Sequence, residues 1–293
     1  MAEVATFATS DQLLVVIDPV ARRTDGESVR IAKDVLSAGA ATKVCMPEGP
    51  EEFARVLARR GSRRPVLVGD DRALMRTVSL LHRQRELAGC ALSMVPVGGA
   101  LSLAGALGVP TGAVAAARAV LDGVVRRMDL LVDDSDGVVL GALRIPPLAL
   151  REAPPEEPQT VASATSGHLW LRTCQSLVRT LVPARTPREH LPTVPRQPGP
   201  ARLRVEVDGV TLVDLDQPVE GVSVTPGAPG LAEVVVRPVS VGAEASPLCA
   251  RGRSVTVSGA DFRYRADAVV GGPVRTRTWV VREGAWGLTL PVG

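Results

Sequence analysis

The chain has 293 residues, of which 45% are hydrophobic, 22% are charged and only 2% are aromatic. This length is sufficient for two domains with separate cores, and the composition is that of a globular protein rather than a disordered or fibrous one. The net charge of +3 is small, and no aromatic side chains alternate with the arginines, so the sequence argues against nucleic-acid binding.

The first 123 residues alternate short apolar runs with helical patterns. The runs at 12–17, 42–46, 65–68 and 91–95 predict buried strands, and each is followed by residues that favour the start of a helix. Strands that alternate with helices at this spacing are typical of a mostly parallel sheet covered on both faces. We therefore predict a mostly parallel α/β domain over residues 1–145.

The remainder of the chain has a different character. Residues 146–200 hold 11 of the 24 prolines and predict a linker that contains one helix at 167–182. From residue 201 onward, short alternating runs recur between turns, which predicts a β-sandwich-like domain over residues 201–293. The predicted architecture is an N-terminal, mostly parallel α/β domain followed by a C-terminal β-sandwich-like domain.

Residues 87–117 carry no charged side chain, which raises the question of a membrane span. The stretch is rich in glycine, alanine and serine and is interrupted by Pro96 and Pro110, whereas a spanning helix needs about 20 strongly apolar residues. The N-terminus lacks the pattern of a signal peptide, so we predict a cytoplasmic protein. The apolar stripe of the 167–182 helix has two alternative uses, packing between domains or peripheral contact with a membrane.

Four cysteines and three histidines are scattered through the chain, and no two cysteines form a C-x-x-C pair. This spacing indicates neither a zinc site nor a disulfide framework, and we predict no resident metal from it. The acidic turn at 133–137 lacks the glutamate that would complete a calcium loop, so a solvated hairpin turn is the simpler interpretation.

The most informative stretch follows the fourth predicted strand. Residues 90–110 pass from an apolar run through Pro96, Gly98 and Gly99 into a small-residue helix. A strand, a glycine turn and a helix in this order place free backbone N–H groups and a helix N-terminus where a phosphate can bind. Few polar side chains accompany the turn. Its backbone pattern is therefore typical of a phosphate site, but most of the polar side chains that such a site needs are missing.

Four short motifs lie at the ends of predicted strands. Residues 18–22 read D-P-V-A-R, residues 68–72 read V-G-D-D-R, residues 96–104 read P-V-G-G-A-L-S-L-A, and residues 267–269 read D-A-V. In this order they resemble the motifs N-P-x-S/A-G, G-G-D-G-T, P-x-G-T-x-N-D-x-A and D-G-E of the diacylglycerol kinase catalytic-domain family of lipid kinases. The resemblance covers nearly the whole chain, and the glycine and apolar frame survives better than the polar positions.

The resemblance implies that ATP and Mg²⁺ bind between the two domains and that a phosphoryl group is transferred to a lipid hydroxyl, as on a diacylglycerol. It implies a catalytic role at Asp267 and nucleotide binding by five residues, Asp18, Gly69, Asp70, Gly98 and Gly99. The carboxylate expected to act as base is missing, because Val269 stands at its position. Asp71 adds a negative charge beside Asp70 that is expected to repel a triphosphate.

These departures lead to three hypotheses. The favoured one is a degenerate lipid-kinase family protein, a pseudokinase with weak or no phosphotransferase activity that retains nucleotide or lipid binding. The alternatives are an active ATP-dependent lipid kinase that uses other residues, and a non-catalytic interaction protein. Simpler roles also fit the acidic residues, since Asp70 or Asp71 can cap a helix and Asp267 can end a strand.

Overall fold

The computed structural model describes residues 12–146, 200–227, 229–239 and 246–292. All of these residues belong to one of the two units into which the chain divides. The predicted linker at 146–200, apart from its first and last residues, and the helix predicted within it lie outside the described residues.

The first lobe contains a sheet of four parallel strands, which are β1 (Gln12–Ile17), β2 (Ala41–Cys45), β3 (Arg64–Gly69) and β4 (Ala91–Pro96). Their order in the sheet is β4-β3-β1-β2. Strands β1, β3 and β4 are almost completely buried, whereas β2 at the edge is partly exposed. Continuous apolar strands are expected where helices cover both faces of a parallel sheet.

Six helices accompany these strands, namely α1 (Pro19–Thr24), α2 (Gly26–Gly39), α3 (Pro50–Ala58), α4 (Asp71–Arg83), α5 (Ser102–Ala106) and α6 (Ala113–Asp122). Three of them begin at an aspartate whose carboxylate accepts a hydrogen bond from the first turn, at Asp18, Asp25 and Asp70. Because aspartate is a preferred N-cap residue, these helix starts are determined locally.

The structure also bears on the uncharged stretch at 87–117. Among the described residues, none of the helices has both the length and the hydropathy that a membrane span needs.

The second lobe of the described chain contains ten strands: β5 (Val124–Asp133), β6 (Val138–Val139), β7 (Leu143–Ile145), β8 (Ala201–Val207), β9 (Val210–Val213), β10 (Pro218–Pro226), β11 (Ala232–Pro238), β12 (Leu248–Gly252), β13 (Ser254–Ala266) and β14 (Val269–Leu290). Strand β7 pairs with β10 and β13, and β5 pairs with β14, all antiparallel. Hydrogen bonds therefore cross the predicted domain boundary at residue 145. The predicted combination of helices with sheets is confirmed, and the sandwich stays a prediction.

Strand β14 joins the two lobes. It is 22 residues long and pairs antiparallel with β13 and β5. Near its end it pairs parallel with β4, where Gly287 lies opposite Ala91. Trp286 is fully buried in the same apolar cluster as Leu81 of α4 and Leu92 of β4. One strand therefore supplies hydrogen bonds and core side chains to both lobes.

Candidate functional site

The carboxyl ends of β1, β3 and β4 meet at one edge of the parallel sheet. The backbone N–H of Asp18 donates to the carbonyl oxygen of Val68 at 2.9 Å, and that of Val97 donates to Gly69 at 2.9 Å. The backbone N–H of Asp71 donates to Ala100 at 2.8 Å. The structure thus brings the five residues predicted to bind nucleotide to one place, as expected for the ends of parallel strands.

Two glycines allow these turns to approach one another. A Cβ atom at Gly69 would lie 2.8 Å from the Cβ of Ala73 and 3.1 Å from that of Asp18. Gly98 has a φ of +127°, and a Cβ there would lie 3.3 Å from the Cβ of Asp70. Gly69 is therefore needed for packing, and Gly98 for its backbone conformation and its close packing, whether or not a ligand binds. A Cβ at Gly99 would meet no atom within 4 Å, so this side of the turn is open.

Asp18 is a buried helix cap with a matched charge. Its Oδ1 accepts a hydrogen bond from the backbone N–H of Val20 at 2.8 Å, and the residue is only 1% exposed. Its Oδ2 accepts no hydrogen bond but lies 3.2 Å from the guanidinium of Arg76. That guanidinium also lies 5.7 Å from the ring centroid of Phe53. The helix cap therefore engages Oδ1 of Asp18, and the ion pair with Arg76 engages Oδ2.

The two aspartates that follow β3 have separate structural roles. Oδ1 of Asp70 accepts the backbone N–H of Ala73 at 2.9 Å and begins α4. Asp71 is 3% exposed, and its carboxylate accepts the backbone N–H groups of Leu103 at 2.9 Å and Ala104 at 3.0 Å. The side chain predicted to repel a triphosphate therefore points inward and holds the start of α5. Sequence reasoning missed this role, because the donors are about thirty residues away.

Asp267 holds a loop of the second lobe. Its carboxylate accepts the backbone N–H groups of Leu140, Gly141 and Ala142 at 2.7, 2.9 and 2.7 Å. Its own backbone N–H donates to Ala142 at 2.8 Å. Burial raises the pKa of this carboxyl, the three N–H donors lower it in part, and the charge of Asp71 raises it. Both oxygens are engaged, so Asp267 is placed to organise this loop.

The turn after β4 offers unused backbone donors, and the acidic residues nearby form no preformed metal cluster. The backbone N–H groups of Gly98, Gly99 and Ala100 have no acceptor among the described residues. Each nearby carboxylate already accepts at least one backbone N–H. Nowhere in the described part of the chain do three acidic, histidine or cysteine side chains gather at metal-binding distance. The turn can therefore donate hydrogen bonds to an anion such as a phosphate, whereas any Mg²⁺ would have to be held by one or two of these carboxylates together with the phosphates of a bound nucleotide.

A cleft lies between α4 and the second lobe, and we call it the α4 cleft. Its volume is about 480 Å³. One wall is the face of α4 that carries Arg72, Arg76 and Arg83. The opposite wall is formed by β6, by Ala268 of the β13–β14 turn and by Val269 at the start of β14. The position that resembles the catalytic glutamate of the family therefore faces this cleft as an uncharged valine.

Comparison with known proteins shows the fold. No family model matches the sequence, and no curated protein matches it either. The crystal structure of a diacylglycerol kinase from Bacillus anthracis strain Sterne matches with a TM-score of 0.67 at 12% identity, over 96% of this chain and 97% of the other. A further structure from that organism, provisionally described as a diacylglycerol kinase, matches with a TM-score of 0.66 at 11% identity, with the same coverage. The expected resemblance to this family is confirmed for the fold.

Proposed function

We propose that this chain is a degenerate member of the diacylglycerol kinase family, with weak or no phosphotransferase activity and a retained ligand cleft. The proposal rests on one observation, namely that the carboxylates of the candidate site are already engaged in hydrogen bonds within the protein. Asp18, Asp70, Asp71 and Asp267 each accept backbone N–H groups, and Asp18 is also paired with Arg76. Carboxylates used in this way are poorly suited to bind Mg²⁺ or to accept a proton from a substrate.

The missing base adds to this effect. Loss of a general base typically lowers a rate by about 10²–10⁴. Phosphoryl transfer also depends on groups that position the phosphate and neutralise its developing charge. In this chain Val269 stands where the resemblance implies the carboxylate of the base. Without that carboxylate, little transfer to a lipid hydroxyl is expected.

The retained function we propose is the binding of a phosphate-bearing small molecule, a nucleotide or a lipid phosphate. The open turn at Gly98 to Ala100 offers backbone N–H donors, and glycine there leaves room for close approach. This binding needs no carboxylate and no Mg²⁺. We therefore expect ATP to bind with similar affinity in the presence and in the absence of Mg²⁺.

The test combines calorimetric titration of the full chain with a transfer assay. ATP is titrated with Mg²⁺ and with a chelator, and labelled phosphate transfer to diacylglycerol is then followed. We expect no transfer above the rate of heat-inactivated protein. Asp70→Asn serves as the matched variant, because asparagine caps a helix about as well as aspartate but carries no charge. Transfer by the wild type that disappears in Asp70→Asn would overturn the proposal and establish an active lipid kinase.

A further inference from the structure

The α4 cleft has a cationic wall. Arg72, Arg76 and Arg83 lie on one face of α4, since residues four, seven and eleven apart project in similar directions. Eleven residues of helix span about 16 Å. Arg76 is paired with Asp18, whereas Arg72 and Arg83 have no acidic partner in the described part of the chain. The wall therefore presents unmatched positive charge at both of its ends.

The opposite wall is mainly apolar. It is lined by Val138 and Val139 of β6, which are largely buried, and by Val269 at the start of β14, which is 56% exposed. Asp133 also lines the cleft, but its Oδ1 accepts the backbone N–H groups of Ser135 and Gly137. Its charge is therefore largely satisfied within its own turn. An apolar wall facing a row of arginines is suited to a ligand with one anionic side and one apolar side.

The spacing of the arginines decides what kind of ligand fits. One phosphate group cannot contact both Arg72 and Arg83, which are separated by about 16 Å along the helix axis. In an extended peptide, side chains two residues apart lie on the same side and are separated by about 6.6 Å. Arg76 is already paired with Asp18, so the arginines that such a segment has to reach are Arg72 and Arg83 at the two ends of the row. A segment of five or six residues spans the whole row.

We propose that the α4 cleft docks an extended acidic segment of a partner protein, in which acidic side chains alternate with apolar ones. The acidic side chains contact the arginines of α4, and the apolar ones pack on the valine wall. Arginine suits this role because its planar guanidinium binds carboxylates through two parallel hydrogen bonds. The interaction is expected to weaken with salt, since the arginines are solvent-exposed.

This inference rests on the proposed function in one respect, because a cleft that held ATP and Mg²⁺ for transfer would not be free for a peptide. The two proposals can nevertheless fail separately. Peptide binding is measured on the full chain without nucleotide, and phosphate transfer is measured without peptide. Transfer activity would overturn the proposed function, whereas an absence of peptide binding would overturn only the docking site.

The experiment uses a fluorescently labelled hexapeptide of alternating glutamate and valine, followed by anisotropy. The double variant Arg72→Gln, Arg83→Gln removes both unmatched charges from exposed positions, so little effect on folding is expected. The matched control is Arg59→Gln, Arg126→Gln, at two exposed arginines outside the cleft. We expect the cleft variant to weaken binding about tenfold or more, as for the loss of two charge contacts, and the control to change it less than about twofold.

Three further probes make the result specific. A peptide of alternating lysine and valine should not bind, and one of alternating glutamate and serine should bind several-fold more weakly. Equal binding of the glutamate–serine peptide would overturn the role of the valine wall. Binding of inorganic triphosphate that is lost in the cleft variant, without binding of the glutamate–valine peptide, would identify a phosphate site and overturn the peptide site.

Discussion

At the scale of single residues, several acidic side chains of this protein accept hydrogen bonds from backbone N–H groups. Asp267 accepts three consecutive N–H groups, and Asp71 accepts two that are about thirty residues away in sequence. A buried N–H that loses its acceptor keeps the full cost of its desolvation. The same carboxylates that resemble catalytic residues therefore contribute to the stability of the two lobes.

Replacing Asp267 should destabilise the protein. Asp267→Ala leaves three backbone N–H groups without an acceptor, and we expect the free energy of unfolding to fall by about 2–4 kcal/mol. Asp261→Ala is the control, because that side chain is 61% exposed on the preceding strand β13 and forms a surface ion pair with Arg275. Urea denaturation of both variants measures the difference. An Asp267→Ala variant as stable as the control would contradict the role assigned to this carboxylate.

The pH dependence of this contribution has a definite sign. Burial raises the pKa of Asp267 above its ordinary value of 3.8, so the folded protein binds this proton more tightly than the unfolded chain does. The stabilisation linked to its protonation is fully present below 3.8 and is lost as the pH rises through the folded pKa. The difference in unfolding free energy between wild type and Asp267→Ala should therefore decrease over that interval.

The pKa of Asp208 is shifted in the opposite direction to that of Asp267. Its carboxylate accepts the backbone N–H groups of Ser254 and Arg253, and these bonds lower its pKa below 3.8. Its contribution is present above 3.8 and is lost as the pH falls through the folded pKa. Denaturation of wild type and Asp208→Ala at pH values below 3.8 should show a slope of opposite sign to that of Asp267 above 3.8. A contribution of Asp208 that grows as the pH falls would refute its assignment.

At the scale of elements, β14 is the strand on which both lobes depend. Trp286 is fully buried in the core beneath α4, and Trp279 is fully buried in the core of the second lobe. The ring of Trp279 contacts that of Tyr264 edge to face, with centroids 5.3 Å apart. A single strand thus inserts one indole into each core.

Truncation of Trp286 tests this dependence. Trp286→Ala removes a large side chain from a packed core, and we expect a loss of about 3–5 kcal/mol in unfolding free energy. Val210→Ala, at a position that is 71% exposed, should change it by less than about 0.5 kcal/mol. Thermal and urea denaturation give both values. A small effect of Trp286→Ala would mean that this core relaxes around the cavity.

At the scale of the whole molecule, the shared strand predicts that the two lobes unfold together. Amide hydrogen exchange read by mass spectrometry gives an opening free energy for peptides from each lobe. We expect peptides from β3 and from β11 to reach the same limiting value, since β14 pairs with strands of both lobes and places a tryptophan in each core. A second lobe that opens at least about 2 kcal/mol more easily would show that the lobes are independent domains.

Much of the fold could be predicted because it depends on local patterns. The apolar runs of β1, β3 and β4 lie where the periodicity placed them, and Asp70 begins α4 as a preferred cap residue should. Long-range pairing carries no such local signal. The boundary expected at residue 145 is crossed by the pairing of β7 with β10, because strands distant in sequence complete its sheet.

By itself, the sequence determined the alternation of strands and helices in the first lobe, the glycine turns and the absence of a carboxylate at Val269, because these depend on residue type and on near neighbours. Only the tertiary structure decided where each carboxylate points. Asp71 and Asp267 are bound by N–H groups from other elements, and the arginines of α4 face an apolar wall contributed by the second lobe. The physical reason is that a buried carboxylate accepts hydrogen bonds from whichever N–H groups lie next to it in the folded protein. Those N–H groups belong to elements that are distant in sequence, so local sequence does not identify them.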